Sequence, residues 1–349
     1  MADTSPNPTG SSPGPATTTA SPPPAATTLP AGPGVIEADI HPRSDDDADS
    51  SLSLGSDQSE TTSITSSVFR FREENGRRYH AYKAGTYFMP NDDKENDRLD
   101  LQHNIFILMQ DNRLYSCPAG KSKPLKRVLD GGCGTGIWSM DFADDHPETA
   151  VVGVDLSPIQ PSFVPPNVEF FVDDLESEWS FSNKFDFIYL RFLTGSIKNW
   201  PRLFEQAYAH MTPGGYIELC DVAFPLVSDD GTLTEDCAQR RWSTAVLEAT
   251  EKAGSPLNSA LKYEQQLADA GFKDIVHVEY KWPSNTWPKD RKYKELGAWS
   301  YENNLQGIQA ASLVPLTRVL GWTVEEVEAL LVEVRKEMKD RNIHAYWPM

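Results

Sequence analysis

The stretch from Val128 to Gly136, with the sequence VLDGGCGTG, constrains the fold of this chain more than any other feature. It opens with apolar residues typical of a short buried strand, and its loop has glycine at alternate positions, namely Gly132, Gly134 and Gly136. Glycine permits a tight turn and lets a ligand approach the backbone closely. The helix predicted to follow presents N-terminal amides to such a ligand. We therefore predict a ligand-binding strand–loop–helix unit.

Two acidic residues lie at the ends of the strands on either side of this helix. Asp130 ends the first strand, where its carboxylate is placed to face a cationic group. Asp155 comes nineteen residues after Gly136 and ends a second apolar strand, residues 150–154. An acid at that position suits the two hydroxyls of a ribose. The pattern predicts a site for a nucleotide-type cofactor.

The spacing of the glycines separates two classes of cofactor. A dinucleotide loop has the pattern G-x-G-x-x-G, which admits a pyrophosphate. This chain has D-x-G-x-G-x-G, which resembles motif I of the class I S-adenosylmethionine (SAM) methyltransferases. The resemblance implies that Asp130 faces the ammonium group of SAM and that Asp155 and Leu156 lie at its ribose. The alternatives are a purely structural glycine turn and, less consistent with the spacing, a nicotinamide oxidoreductase.

Two further sets of cofactor contacts are expected after the next strands. Asp174 and Leu175 follow a third strand at residues 168–172, where an acid in these methyltransferases typically accepts from the adenine amino group. The alternative for Asp174 is a solvated loop acid. Arg191 follows a fourth strand at residues 185–190, at the carboxyl end, where open α/β sheets bind ligands.

The composition divides the chain into three parts. Residues 1–66 are rich in Pro, Ser, Thr and Asp and bury too little apolar surface to fold, so we predict a disordered tail, either a regulatory segment or a spacer. Residues 67–125 include a helix predicted to have Asn91 as its N-cap and to run to about Met109, and we expect this segment to close over the donor methyl as a lid. Residues 126–349 are expected to form the SAM-binding domain with insertions that cap the substrate. This part includes a strand predicted at residues 273–282 and a last helix that begins at a capping box of Thr323 and Glu326.

Three side chains are weak candidates for catalytic contacts: Tyr82 and His103 in the lid segment, and Arg191 at the end of the fourth strand. A tyrosine can face a sulfonium methyl with its ring. The alternative is that these side chains only pack the leading helix on the sheet, and the sequence names no general base. The aromatic residues of the cap region are candidate pocket residues or packing residues: Trp287, Trp299 and Tyr301. No spacing typical of a metal site is present, so we expect no metal.

Several motifs resemble the LaeA-like methyltransferases of filamentous fungi over roughly residues 35 to 349. They are YHAYK at 79–83, RLDLQH at 98–103, GTGIW at 134–138, DLSPIQP at 155–161 and RFLTGSI at 191–197. The resemblance implies an α/β fold with a mixed seven-stranded sheet and helices on both faces. It also implies methyl transfer from SAM to a small-molecule or protein acceptor, in fungal secondary metabolism or in its regulation. A SAM-binding regulator acting through partner proteins is the alternative. Gly131 differs from the usual glycine-loop motif, which more often has leucine at this position.

Charge and hydropathy exclude other classes of function. The net charge is −19, and nine acidic residues against one basic residue give residues 1–66 a share of −8, which leaves −11 for the remainder. Direct nucleic-acid binding requires a basic face, so we do not expect it. Neither a membrane-spanning run nor a signal peptide is predicted. The four cysteines show no metal or disulfide spacing, and we expect a cytoplasmic or nuclear location.

Overall fold

The computed structural model describes most of the chain outside the N-terminal tail, namely residues 1–2, 34–39, 71–83, 85 and 87–349. Most of the tail predicted to be disordered lies outside the described residues. Residues 34–39 are described and pack against the body. Ile36 is buried beside Trp287 and Tyr346, and the Asp39 amide donates to the Trp287 carbonyl at 2.8 Å. The prediction of a disordered tail therefore does not hold for residues 34–39.

A short hairpin and a long helix precede the main sheet. They are β1 (Arg72–Glu74), β2 (Arg77–Tyr79) and α1 (Asp93–Met109). The carboxylate of Asp92 caps α1 by accepting from the Glu95 amide at 3.1 Å, one residue after the predicted cap at Asn91. The same carboxylate lies 2.5 Å from the Arg77 guanidinium. This ion pair ties the hairpin to the start of the helix.

A parallel sheet of five strands forms the centre of the molecule. Its strands are β3 (Arg127–Gly131), β4 (Ala150–Asp155), β5 (Val168–Val172), β6 (Phe185–Arg191) and β7 (Met211–Cys220). They lie in the order β5-β4-β3-β6-β7. The chain changes direction across the sheet between β3 and β6, and ligands of open α/β sheets bind at such a switch point. The α/β class is confirmed, but the prediction of a mixed seven-stranded sheet is wrong in strand count and in strand direction, since the five strands are all parallel.

Helices cover both faces of the sheet, as predicted. The remaining elements are α2 (Ile137–Asp145), α3 (Trp200–Ala209), α4 (Ala238–Lys252), α5 (Tyr263–Asp269), β8 (Lys281–Pro283), α6 (Arg291–Val314), α7 (Val324–Glu337) and β9 (Tyr346–Pro348). Successive residues of a strand point to opposite faces. Val128 accordingly packs in one core with Trp138 of α2, whereas Leu129 packs in another with Phe204 of α3.

A third core lies beyond the sheet, where α1 meets the C-terminal elements. Phe106 of α1 packs there with residues of α4, α6 and α7. The strand predicted at residues 273–282 is largely absent, since only Lys281–Pro283 is extended as β8. It pairs antiparallel with β9 in a separate two-stranded sheet. The C-terminal residues of the chain therefore pair with β8, which does not extend the main sheet.

Candidate cofactor-binding site

The glycine loop between β3 and α2 leaves one glycine open to a ligand. Gly132, Gly134 and Gly136 have φ angles of 72°, 55° and 80°, a region that other residues rarely adopt. A Cβ at Gly132 would lie 2.3 Å from Leu193, and one at Gly136 would lie 2.3 Å from the Phe170 ring. A Cβ at Gly134 would meet only Leu99, at 3.7 Å. Gly134 is therefore the position where the loop has space for a ligand.

Asp155 lies at the end of β4 and also holds the glycine loop. Its Oδ2 accepts from the Gly134 amide and its Oδ1 from the Ser157 amide, both at 2.9 Å. Burial raises the pKa of Asp155, and the two amides partly oppose that shift by favouring the carboxylate. Leu156 follows it and is half-buried. The structure thus places Asp155 beside the loop, with a loop-bracing role that the sequence did not suggest.

Asp130 and Arg191 lie at the ends of adjacent strands, β3 and β6, near enough for the charge of Arg191 to act on the Asp130 carboxyl group. Asp130 is 3% exposed and accepts from Ser139 Oγ at 2.6 Å. Burial raises the pKa of Asp130 to about 6, while Ser139 and Arg191 oppose the shift. Arg191 Nη1 is buried and has no hydrogen-bond partner among the described residues. A buried donor without a partner costs about 1–3 kcal/mol, so this group favours an incoming acceptor.

His103 holds Arg191 in place from α1. Arg191 Nη2 donates to His103 Nδ1 at 3.1 Å, and His103 Nε2 lies 2.9 Å from Asp141 Oδ2. Because arginine has only donors, Nδ1 accepts and Nε2 carries the proton donated to Asp141. Burial, followed by the charge of Arg191, lowers the pKa of His103 to about 3. The imidazole is neutral, with both nitrogens engaged, which suits positioning more than proton transfer.

The remaining predicted site residues lie around the end of β5. Asp174 Oδ2 is 2.9 Å from Lys83 Nζ. Although burial opposes it, the hydrogen bond from Lys83 lowers the pKa of Asp174. Leu175 is buried in the core against the backbone of Gly131. Tyr82 is a half-buried turn residue beside Lys83, and no described contact joins it to His103 or Arg191.

Two contacts that sequence reasoning missed fix the loop from outside. Gln160 Nε2 donates to the Gly134 carbonyl at 2.6 Å, and Thr135 Oγ1 donates to Asp100 Oδ1 at 2.6 Å. Both partners outside the loop belong to the motifs DLSPIQP and RLDLQH noted above. These two motifs could have indicated the contacts in advance, because they mark polar residues next to the predicted site.

Neither a metal site nor a membrane span is found in the part of the chain that the structure describes. None of its His, Cys, Asp and Glu side chains form a group of three that could hold a metal ion. None of its helices has the length and apolar character needed to cross a bilayer.

Comparison with known proteins decides the family. Residues 101–278 match the model of a methyltransferase domain family. The chain is 44% identical over 294 residues to methyltransferase pytC of Aspergillus terreus, covering 84% of this chain and 90% of that protein. It is 39% identical to secondary metabolism regulator LAE1 of Cochliobolus heterostrophus, covering 78% and 91%. It is 36% identical to protein-methionine methyltransferase laeA of Emericella nidulans, covering 79% and 74%.

The chain belongs to the LaeA-like methyltransferase family. The resemblance drawn from its motifs is confirmed, and so are the SAM cofactor and the assignment to methyl transfer in, or regulating, fungal secondary metabolism. The acceptor of such an enzyme is a small molecule or a protein. The residues of this LaeA-like methyltransferase fit SAM, because the amino-acid end of that cofactor carries one positive and one negative charge. Asp130 and the unpartnered Arg191 Nη1 offer the complementary pair.

Proposed function

We propose that this protein holds the amino-acid end of SAM between Asp130 and Arg191. Asp130 faces the ammonium group, and Arg191 Nη1 donates to the carboxylate. The open backbone at Gly134 and the Asp155 carboxylate border the ribose, and Asp174 lies toward the adenine. The observation that carries this proposal is the buried, unpartnered Nη1, on a side chain whose charge opposes the rise that burial causes in the pKa of Asp130.

Bound SAM supplies an electrophilic methyl group on a sulfonium, which an acceptor lone pair displaces to leave a neutral thioether. Such a displacement gains most from alignment of donor and acceptor and from exclusion of water. The chain contributes alignment, because Arg191 is held between His103 and the ring of Phe106, 4.9 Å away. A neutral His103 with both nitrogens engaged adds no charge that would need a counter-ion.

The proposed role is enzymatic turnover in secondary metabolism. The relative with 44% identity, of which the chain covers 90%, is named a methyltransferase. Relatives named as regulators, at 36–39% identity, support the second candidate, a SAM-binding regulator that acts through partner proteins. The two roles differ in what loss of SAM binding does to metabolites.

The binding proposal is tested with two ligands and one substitution. S-adenosylhomocysteine carries the amino-acid end, whereas 5′-methylthioadenosine lacks it. A charged hydrogen bond is worth about 1.5–3 kcal/mol, so Arg191→Met should weaken S-adenosylhomocysteine by at least about tenfold in calorimetry. Its affinity for 5′-methylthioadenosine should stay within about twofold. The control is Arg202→Met, at an exposed arginine of α3. Equal losses for both ligands would place the amino-acid end elsewhere.

The choice between enzyme and regulator is tested by comparing metabolites in strains that carry wild-type protein, Arg191→Met or Arg202→Met. For an enzyme, Arg191→Met should remove one methylated product and accumulate its unmethylated precursor. Changes across many unrelated metabolites, with no such precursor, would favour the regulator.

A further inference from the structure

A cavity of about 120 Å³ lies between α1, α4 and α6, under the loops that follow β6 and β7. We call it the aromatic cavity, because seven aromatic side chains line it: Tyr87, Phe88, Phe192, Phe224, Trp242, Trp282 and Trp347. The three tryptophans are each under 5% exposed. None of the cap aromatics singled out from the sequence, Trp287, Trp299 and Tyr301, lines this cavity.

The aromatic cavity adjoins the candidate cofactor site through a chain of ring contacts. The guanidinium of Arg191 lies 4.9 Å from the centre of the Phe106 ring. Phe106 in turn lies 5.3 Å from Trp282 and 6.1 Å from Phe192, both of which line the cavity. Gln102, next to His103 on α1, also lines it. The cavity is therefore on the side of the cofactor site where Arg191 and His103 lie.

The charged groups at the wall are already paired. Arg98 lines the cavity and donates to Glu95 at 2.6 Å, to Gln102 at 2.6 Å and to Asn303 at 2.8 Å. Because Arg98 and Glu95 are both buried and neutralise each other, an ion entering the cavity would lose its hydration without gaining a counter-ion. The occupant is therefore expected to be uncharged.

One of the residues that line the cavity carries a polar group without a partner. Trp282 Nε1 is buried and has no hydrogen-bond partner among the described residues. An indole N–H only donates, so it suits an oxygen or nitrogen acceptor on the occupant. A dry protein cavity of about 150 Å³ is known to hold benzene, so the aromatic cavity has room for about one ring.

We propose that the aromatic cavity is the acceptor site and takes one uncharged, mainly apolar ring that carries a hydrogen-bond acceptor. The substrate class is thus a neutral ring compound of small-molecule size. This proposal rests on the proposed SAM-dependent function, since the cavity matters for methyl transfer only if the donor lies beside Arg191.

The test uses a cavity-filling variant and a matched control on the same helix. Ala311 of α6 lines the cavity, whereas Ala298 of α6 is exposed and lies outside it. Ala311→Leu should fill the space, and Ala298→Leu should not. A second variant, Trp282→Phe, keeps an aromatic wall and removes the Nε1 donor. Melting curves establish that each variant is folded.

The probes are phenol, benzene, benzoate and N-acetylmethionine amide, titrated by calorimetry or ligand-observed NMR with saturating S-adenosylhomocysteine. We expect phenol to bind at least tenfold more tightly than benzoate. Ala311→Leu should weaken phenol at least tenfold, Ala298→Leu should leave it within twofold, and Trp282→Phe should weaken phenol more than benzene. Binding of benzoate as tight as phenol, or no effect of Ala311→Leu, would overturn the proposal.

Tighter binding of N-acetylmethionine amide than of phenol would also overturn the proposal, in favour of a protein side chain as acceptor. The affinity for S-adenosylhomocysteine is measured separately in every variant. If the wild-type protein does not bind S-adenosylhomocysteine, the proposed function is contradicted. If it binds S-adenosylhomocysteine but does not prefer phenol to benzoate, only the acceptor site is contradicted.

Discussion

Alanine substitutions at three glycines separate ligand contact from backbone strain. Gly134, Gly132 and Gly214 all have φ between 55° and 73°. Alanine at each position should therefore destabilise the folded protein by a similar amount, about 1–2 kcal/mol, because the backbone there is left-handed. They differ in what the new methyl group meets. At Gly134 it meets only Leu99 at 3.7 Å, at Gly132 it lies 2.3 Å from Leu193, and at Gly214 nothing lies within 4 Å.

The expected results follow from these distances. Gly214→Ala in β7 should lower the melting temperature by a few degrees and leave the affinity for S-adenosylhomocysteine unchanged. Gly134→Ala should lower the melting temperature by a similar amount but weaken the ligand at least about tenfold, about 1.4 kcal/mol, because the methyl group enters the space at the loop. Gly132→Ala adds the displacement of Leu193, a further cost of about 1–3 kcal/mol, and should be the least stable of the three.

Scanning fluorimetry without ligand and calorimetry with S-adenosylhomocysteine measure the two effects separately. The comparison that matters is Gly134→Ala against Gly214→Ala, because the two share the backbone cost. If Gly134→Ala binds the ligand as well as Gly214→Ala does, the open side of the loop does not face the cofactor, and the placement of SAM at this loop would be refuted.

Two further predictions concern Asp130 and the N-terminal segment. The carboxylate of Asp130 has a pKa of about 6 and must be ionised to face an ammonium group, so the affinity for S-adenosylhomocysteine should be full near pH 7 and fall by up to about tenfold per unit below pH 6. Calorimetry across this range should show no such fall for Asp130→Asn. A pH profile of that variant identical to the wild-type profile would contradict the role of Asp130. Removal of residues 1–33 should leave the melting temperature unchanged, whereas removal of residues 1–39 should lower it by several degrees. The loss of the buried Ile36 side chain lowers the free energy of unfolding by about 1.5–3 kcal/mol. Equal melting temperatures for the two deletions would show that residues 34–39 do not stabilise the body.

Local sequence patterns determined the elements that carry the cofactor site. The alternating glycines after a buried strand predicted the β3–loop–α2 unit, and an acid after the next strand predicted the place of Asp155. The capping box of Thr323 and Glu326 likewise predicted the start of α7, and the structure has it. These predictions succeed because backbone conformation in turns and caps depends on residues only a few positions apart.

The aromatic cavity and the docking of residues 34–39 were decided by tertiary structure alone. Arg98 donates a hydrogen bond to Asn303, 205 residues later in the chain, and Trp282 comes beside Trp347 through the pairing of β8 with β9. The sequence between these partners carries no pattern that joins them, so it could not show that the charge of Arg98 is neutralised or that three tryptophans enclose one space. Strand-forming residues near position 281 predicted an extended segment, but not its partner. Which edge such a segment joins depends on the contacts available when the whole chain is folded, and here the end of the chain provides them.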